Sequence, residues 1–162
     1  MKNKILKLIR TRTNEVVKMK SKCIVGKMNI IVEASNKFLT KKIKDERLPI
    51  LQNHITLFDI LPEDGSKLLF NEIASIWRIS KSSLSDIINK YESQGLINKC
   101  MCCEDKRSVY ISLTPEAVVI KQKLQVMERE FLDIILEDFD EGQKTILEDN
   151  IEKALKNIIK ML

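Results

Sequence analysis

The run from Leu68 to Thr114, LLFNEIASIWRISKSSLSDIINKYESQGLINKCMCCEDKRSVYISLT, holds two short helical patterns, then a strand, a charged turn and a second strand. That order is what a helix pair needs in order to lay its second helix in a DNA major groove and a β-hairpin over the neighbouring minor groove.

Spacing supports each element. Leu69, Ile73, Ile76 and Trp77 recur at the interval of an amphipathic helix, with Ala74 small enough for a second helix to approach. Ser80 then stands as an N-cap, its hydroxyl able to accept an amide two or three residues on. In the helix that follows, Leu84, Ile87, Ile88 and Tyr91 form the inward stripe. The opposite side, with Lys81, Ser82, Ser83, Ser85, Asp86, Asn89 and Lys90, is short, polar and rich in donors. Such a face suits base edges and phosphates, and equally suits plain solvent.

The neighbouring residues decide between these. Gly95 closes the helix, and Ile97, Lys99, Met101 and Cys103 alternate with Asn98, Cys100 and Cys102 on the period of a strand. Glu104, Asp105 and Lys106 make a charged turn, after which Val109, Ile111 and Leu113 alternate with Ser108, Tyr110 and Ser112. The expectation is a hairpin attached to a helix pair.

The stretch resembles the DNA-binding domain of the MarR family of bacterial transcription regulators, whose wing runs D-x-R and then L-T. Here Asp105, Arg107, Leu113 and Thr114 fill those places, preceded by Gly95-Leu96-Ile97. The resemblance implies that Ser80 to Lys90 form the recognition helix and that Arg107 enters the minor groove, where negative potential is concentrated. It also implies that Asp105 orients that arginine through a charge-assisted bond. Two residues depart from the pattern: Asp86 stands where a basic residue is common, and Arg78 stands in the inter-helix turn where Gly is common. A carboxylate there disfavours phosphate but can accept from a cytosine amino group, and Arg78 is strained if it must be left-handed.

Composition agrees with a mainly helical chain: 162 residues, 44% hydrophobic, only four Gly and three Pro, and a net charge of +5. Residues 1 to 47 hold 14 Lys or Arg against 4 Asp or Glu, whereas residues 115 to 162 hold 7 against 11. A basic front suits a polyanionic partner. No apolar run reaches the roughly 20 residues that cross a bilayer, and the N-terminus lacks a signal-peptide core, so a cytoplasmic protein without a membrane partner is expected.

The flanks carry more apolar surface than a small winged domain can cover. Ile5, Leu6, Ile9, Val16 and Val17 lie among basic residues, and Ile24, Met28, Ile31, Val32, Phe38, Leu39 and Ile43 mark a longer helix that ends before Pro49. Leu51, Ile55, Phe58 and Leu61 begin another. After the wing, Thr114 and Pro115 start a helix striped by Ile120, Leu124, Met127, Phe131 and Ile135. Asp140 and Gln143 cap a last one, with Leu147, Ile151, Leu155, Ile158 and Leu162 in phase.

These patterns give a mainly α fold with a small β-hairpin wing, a winged helix-turn-helix flanked by N- and C-terminal dimerisation helices. Residues 1–48 would serve dimerisation, 49–114 DNA binding and 115–162 dimerisation again. Two-fold symmetry would set two recognition helices about one DNA turn apart on a pseudo-palindromic operator. Ser82, Ser83, Ser85, Asp86 and Asn89 would read bases, while Lys81, Lys90, Lys99 and the N-terminal lysines would meet phosphates, with Lys106 beside Arg107 at the wing turn. The expected partners are double-stranded DNA, a second copy of the chain and, by the resemblance, a small-molecule effector. An interaction module without DNA binding is the alternative that Asp86 and the acidic C-terminal half allow.

Cysteine adds one further reading. Cys23 lies in the region where some MarR relatives sense oxidants, and Lys22 and Lys27 could acidify its thiol, so a redox-responsive regulator is a second alternative. Cys100 and Cys103 have C-x-x-C spacing but point to opposite strand faces and lack a nearby histidine, so no metal is expected. His54, the single histidine, reads as a partly buried helix residue. No catalytic constellation, phosphate loop or cofactor signature is present, and the chain is not expected to be an enzyme.

Overall fold

The computed structural model of the protein describes residues 23–101 and 108–161. The order of elements is α1 (Ile24–Asp45), a 3-10 turn (Gln52–His54), α2 (Ile55–Ile60), β1 (Leu68–Leu69), α3 (Phe70–Trp77), α4 (Lys81–Ser93), β2 (Ile97–Met101), β3 (Val109–Leu113), α5 (Pro115–Ile135) and α6 (Glu141–Ile159). Two compact units divide the chain, one reaching Met127 and the other beginning at Glu128.

In the first unit α3 and α4 stand against a three-stranded antiparallel sheet in the order β1-β3-β2, and α2 packs on α3. The register places Ile97 opposite Leu113 and Lys99 opposite Ile111, while Leu68 faces Ile111 from the other edge. Ile97, Ile111 and Leu113 are buried, together with Leu57, Phe58, Leu61, Ile73, Leu84, Ile88, Tyr91 and Leu96. Phe38, Leu39 and Ile43 of α1 and Ala117, Ile120, Leu124 and Met127 of α5 complete the core. Burial of this many branched and aromatic side chains is the main force holding the helix pair on the sheet.

Two expectations need correction. The wing is not a hairpin alone, because Leu69 leaves the helix stripe and pairs with Tyr110 as part of β1. The supporting helix therefore starts at Phe70, with the Leu69 amide donating to Glu72 Oε2 at 3.0 Å. Ile76 is 59% exposed instead of inward. A helix of eight residues turns Phe70, Ile73, Ala74 and Trp77 toward the core, and Ile76 sits roughly 110° round from the middle of that face.

Helix ends follow local chemistry. Thr114 Oγ1 accepts from the Ala117 amide at 3.2 Å and donates to the Gly95 carbonyl at 2.9 Å, joining the start of α5 to the end of α4. That end is a Schellman closure: Gly95 has φ +71°, its amide reaches the Glu92 carbonyl, and the Leu96 amide reaches the Tyr91 carbonyl.

In the second unit, Asp140 and Gln143 form the expected capping box, with bonds of 2.8 and 3.0 Å. No residue of α6 is buried, and Ile146, Ile151, Leu155, Ile158 and Ile159 are all exposed. The first half of α1 is similar, with Ile24, Val25, Met28, Ile31 and Val32 exposed. Among the described residues no helix is long and apolar enough to cross a membrane.

Candidate nucleic-acid interface

The helix expected to read DNA is α4, and its N-terminus is built by two serines. Ser80 Oγ accepts the Ser83 amide at 3.0 Å and lies 2.8 Å from Ser83 Oγ. Both hydroxyls are thus occupied in capping, which fixes where the helix starts and leaves them less free to read bases than their polarity suggests. Lys81 and Ser82 are exposed in the first turn, where the positive end of the helix dipole favours an approaching phosphate.

Along the helix Ser82, Asp86 and Asn89 share one exposed face, spaced four and three residues apart, and Ser85 is half-buried beside them. Lys90 is half-buried as well, its ammonium 5.4 Å from the centre of the Tyr91 ring. Lys99, on β2, was expected to meet phosphate. Instead its ammonium pairs with Glu92 Oε2 at 2.5 Å and donates to Asn89 Oδ1 at 2.8 Å, tying the strand to the helix. The β2 strand turns this side chain toward α4 on the same face as buried Ile97, two residues earlier.

At the inner side of α4 lies a polar cluster that spacing could not reveal. Tyr91 Oη accepts from the Leu51 amide at 3.1 Å and lies 3.0 Å from His54 Nδ1. The His54 ring meets Tyr91 and Trp77 edge-on, at centroid distances of 5.6 and 6.3 Å. Burial, with the nearby Lys90 charge as a lesser cause, lowers the His54 pKa below its usual value. Burial likewise raises that of Tyr91, partly opposed by the Leu51 amide. Tyr91 Oη and His54 Nδ1 are thus hydrogen-bonded, and His54 is a partner of α4.

A second latch joins α5 to the loop after α2. Lys121 is buried, and its ammonium donates to the carbonyls of Leu61 at 2.8 Å and Asp59 at 3.2 Å, capping the end of α2. Glu63, 4.0 Å from that ammonium, accepts from Gln125 at 2.7 Å. These partners are some sixty residues apart in sequence, so only the folded chain brings them together.

Asp105, Lys106 and Arg107, which the resemblance assigns to the wing tip, lie outside the described residues, as do Cys102, Cys103 and the N-terminal lysines. Cys23 is exposed at the N-cap of α1. Its thiol is acidified by the amides of Gly26 and then Val25 at the helix start, and Lys22 lies outside the described residues. Cys100 is exposed on β2, and among the described residues no group of three His, Cys, Asp or Glu could hold a metal ion.

No family model matches the chain. Its backbone is similar to that of a MarR transcriptional regulator from Methanosarcina mazei Go1, with a TM-score of 0.74 over 85% of this chain and 98% of that one, at 19% identity. The fold is that of the MarR family. A cysteine-to-serine mutant of MarR from E. coli, solved in complex with operator DNA, shares it with a TM-score of 0.64 over 79% of this chain and 90% of that one, at 15% identity. In sequence, the HTH-type transcriptional regulator SarZ of Staphylococcus haemolyticus (strain JCSC1435) is 30% identical over 97 residues. Those residues are 60% of this chain and 62% of SarZ, so the match spans less than two thirds of that relative. Within this MarR fold the turn between α3 and α4 is closed by Arg78 in the left-handed conformation, φ 56° and ψ 40°. The strain anticipated from its sequence position is therefore present.

Proposed function

We propose that the protein is a DNA-binding transcription regulator that grips a pseudo-palindromic operator as a homodimer and acts as a repressor. The observation that carries this reading is the exposed polar face of α4, Ser82-Asp86-Asn89, set in the turn, helix and sheet arrangement that MarR of E. coli has in its operator complex. A helix so placed fits a major groove, with the wing over the adjacent minor groove.

In this reading residues 49–114 contact DNA, and residues 1–48 and 115–162 pair the two copies. Lys81, Lys90, Lys106 and the N-terminal lysines supply salt-sensitive attraction, while Ser82, Ser85, Asp86 and Asn89 discriminate bases. Arg107, oriented by Asp105, reads minor-groove width. A dimer seated across a promoter represses by occlusion, and duplex binding places its work in the cytoplasm. Release by a small ligand, or by oxidation of the exposed and acidified Cys23, completes the scheme.

Fluorescence anisotropy with a duplex from the gene's own upstream region tests the proposal. Binding should weaken by about a thousandfold between 50 and 200 mM salt if some six phosphates are met. Arg107→Ala should weaken it about tenfold. Salt-insensitive or absent binding would favour an interaction module instead.

A further inference from the structure

We propose that Asn89 selects a base presenting acceptors, guanine or thymine rather than adenine, because Lys99 and Glu92 fix which end of its amide faces outward. The inference rests on the DNA-binding reading and states what the recognition helix would choose at one position.

An asparagine side chain offers one acceptor oxygen and an amino group with two donors. Its familiar contact with adenine needs both, the oxygen for the N6 amino group and the amino group for N7. Here the Lys99 ammonium lies 2.8 Å from Oδ1. An ammonium can only donate, so the amide atom turned to it must be the oxygen, whichever way the side chain is otherwise free to flip.

Glu92 makes this arrangement persistent. It lies three residues beyond Asn89 on α4, and its Oε2 holds the same ammonium at 2.5 Å. Lys99 is thereby drawn onto α4 by a carboxylate and an amide oxygen together, and its side chain is only 30% exposed. The second lone pair of Oδ1 remains, but an oxygen already accepting from an ammonium at 2.8 Å is a poorer acceptor for an approaching amino donor than a free amide. What Asn89 presents is its Nδ2 amino group. Two donors match N7 and O6 of guanine, or O4 of thymine. Lys99 and Glu92 act through Asn89 and are positioning residues.

Selection of duplexes from a randomised pool by the full chain, followed by sequencing, tests the assignment. The informative site is the symmetry-related pair of positions whose base preference disappears in Asn89→Ala. The parent should enrich guanine or thymine there about tenfold over adenine. Lys99→Met frees Oδ1, and adenine should then rise to parity at that pair alone. Glu92→Gln, which keeps the lysine and should disturb the fold less, should move the preference part of the way. Adenine enriched by the parent overturns the assignment, as does a Lys99→Met profile identical to the parent's. An Asn89→Ala change that lowers affinity without altering any base preference also overturns it. A parent that enriches no sequence overturns the DNA-binding reading itself, a result distinct from the others.

Discussion

Tyr91 ties α4 to the segment before α2 through a phenol oxygen that accepts from the Leu51 amide and faces His54 Nδ1 at 3.0 Å. The cluster has a consequence for pH. Because the folded His54 pKa lies below the ordinary 6.5, the unfolded chain takes up a proton before the folded one does. Stability should therefore be insensitive to this group above about pH 6.5 and fall as pH drops below it, levelling once the folded histidine is also charged. Urea unfolding at pH 7 and pH 5.5 checks this. The parent should lose more stability over that interval than His54→Gln, which can still hydrogen-bond with Tyr91, and equal losses would rule the linkage out. The sequence placed Tyr91 on the inward stripe and His54 in a partly buried position, and both are so. What it could not supply was their meeting, since periodicity reports which face a residue occupies and nothing about a partner 37 residues away. The same limit hid the Lys99-Asn89-Glu92 group, in which a lysine that looked like a phosphate contact proves to be occupied.

At the scale of elements, three helices end in the same way with different residues. The Schellman pair of bonds recurs after α1, where the Arg47 amide reaches the Lys44 carbonyl and the Leu48 amide reaches the Ile43 carbonyl. It recurs after α3, with Arg78 to Ser75 and Ile79 to Ala74. Only α4 uses glycine at the left-handed position; Arg47 and Arg78 have φ of 52° and 56°. A left-handed L-residue costs about 1–2 kcal/mol, partly offset because glycine loses about 0.5–1 kcal/mol more backbone entropy on folding. Arg78→Gly should accordingly raise stability by about 0.5–1 kcal/mol, seen as a higher urea midpoint at unchanged m-value. A lower midpoint would mean that the guanidinium contributes more than its backbone costs. Capping was legible at this scale because Ser80, Thr114, Asp140 and Gly95 act on neighbours within a few residues. Strand β1 was not legible. Two residues are too short to show alternation, and only pairing with β3 makes Leu68 and Leu69 a strand.

The whole molecule has apolar surface left over in both units. On α6, Ile146, Ile151, Leu155, Ile158 and Ile159 are exposed, and on α1 so are Ile24, Val25, Met28, Ile31 and Val32. Side chains of this kind are each worth about 1.5–3 kcal/mol when fully covered, so leaving both stripes in water would be costly for a free chain. Their surplus was visible in the sequence as helical stripes longer than one winged domain needs. A second copy is the cover we propose, because a two-fold pair also supplies the second recognition helix that a palindromic site requires. Light scattering should then give twice the 18.8 kDa of one chain at micromolar concentration. Replacing Ile151 and Leu155 together by Glu would set carboxylates in the shared face, so this variant should scatter as a single chain. Operator affinity should fall with it, because half-sites bound one at a time lose the gain from linkage. The far-ultraviolet helix signal should persist, since α6 buries none of its residues within its own chain. A parent that is already monomeric, or a double variant that remains paired, would show that these stripes meet something other than a second copy.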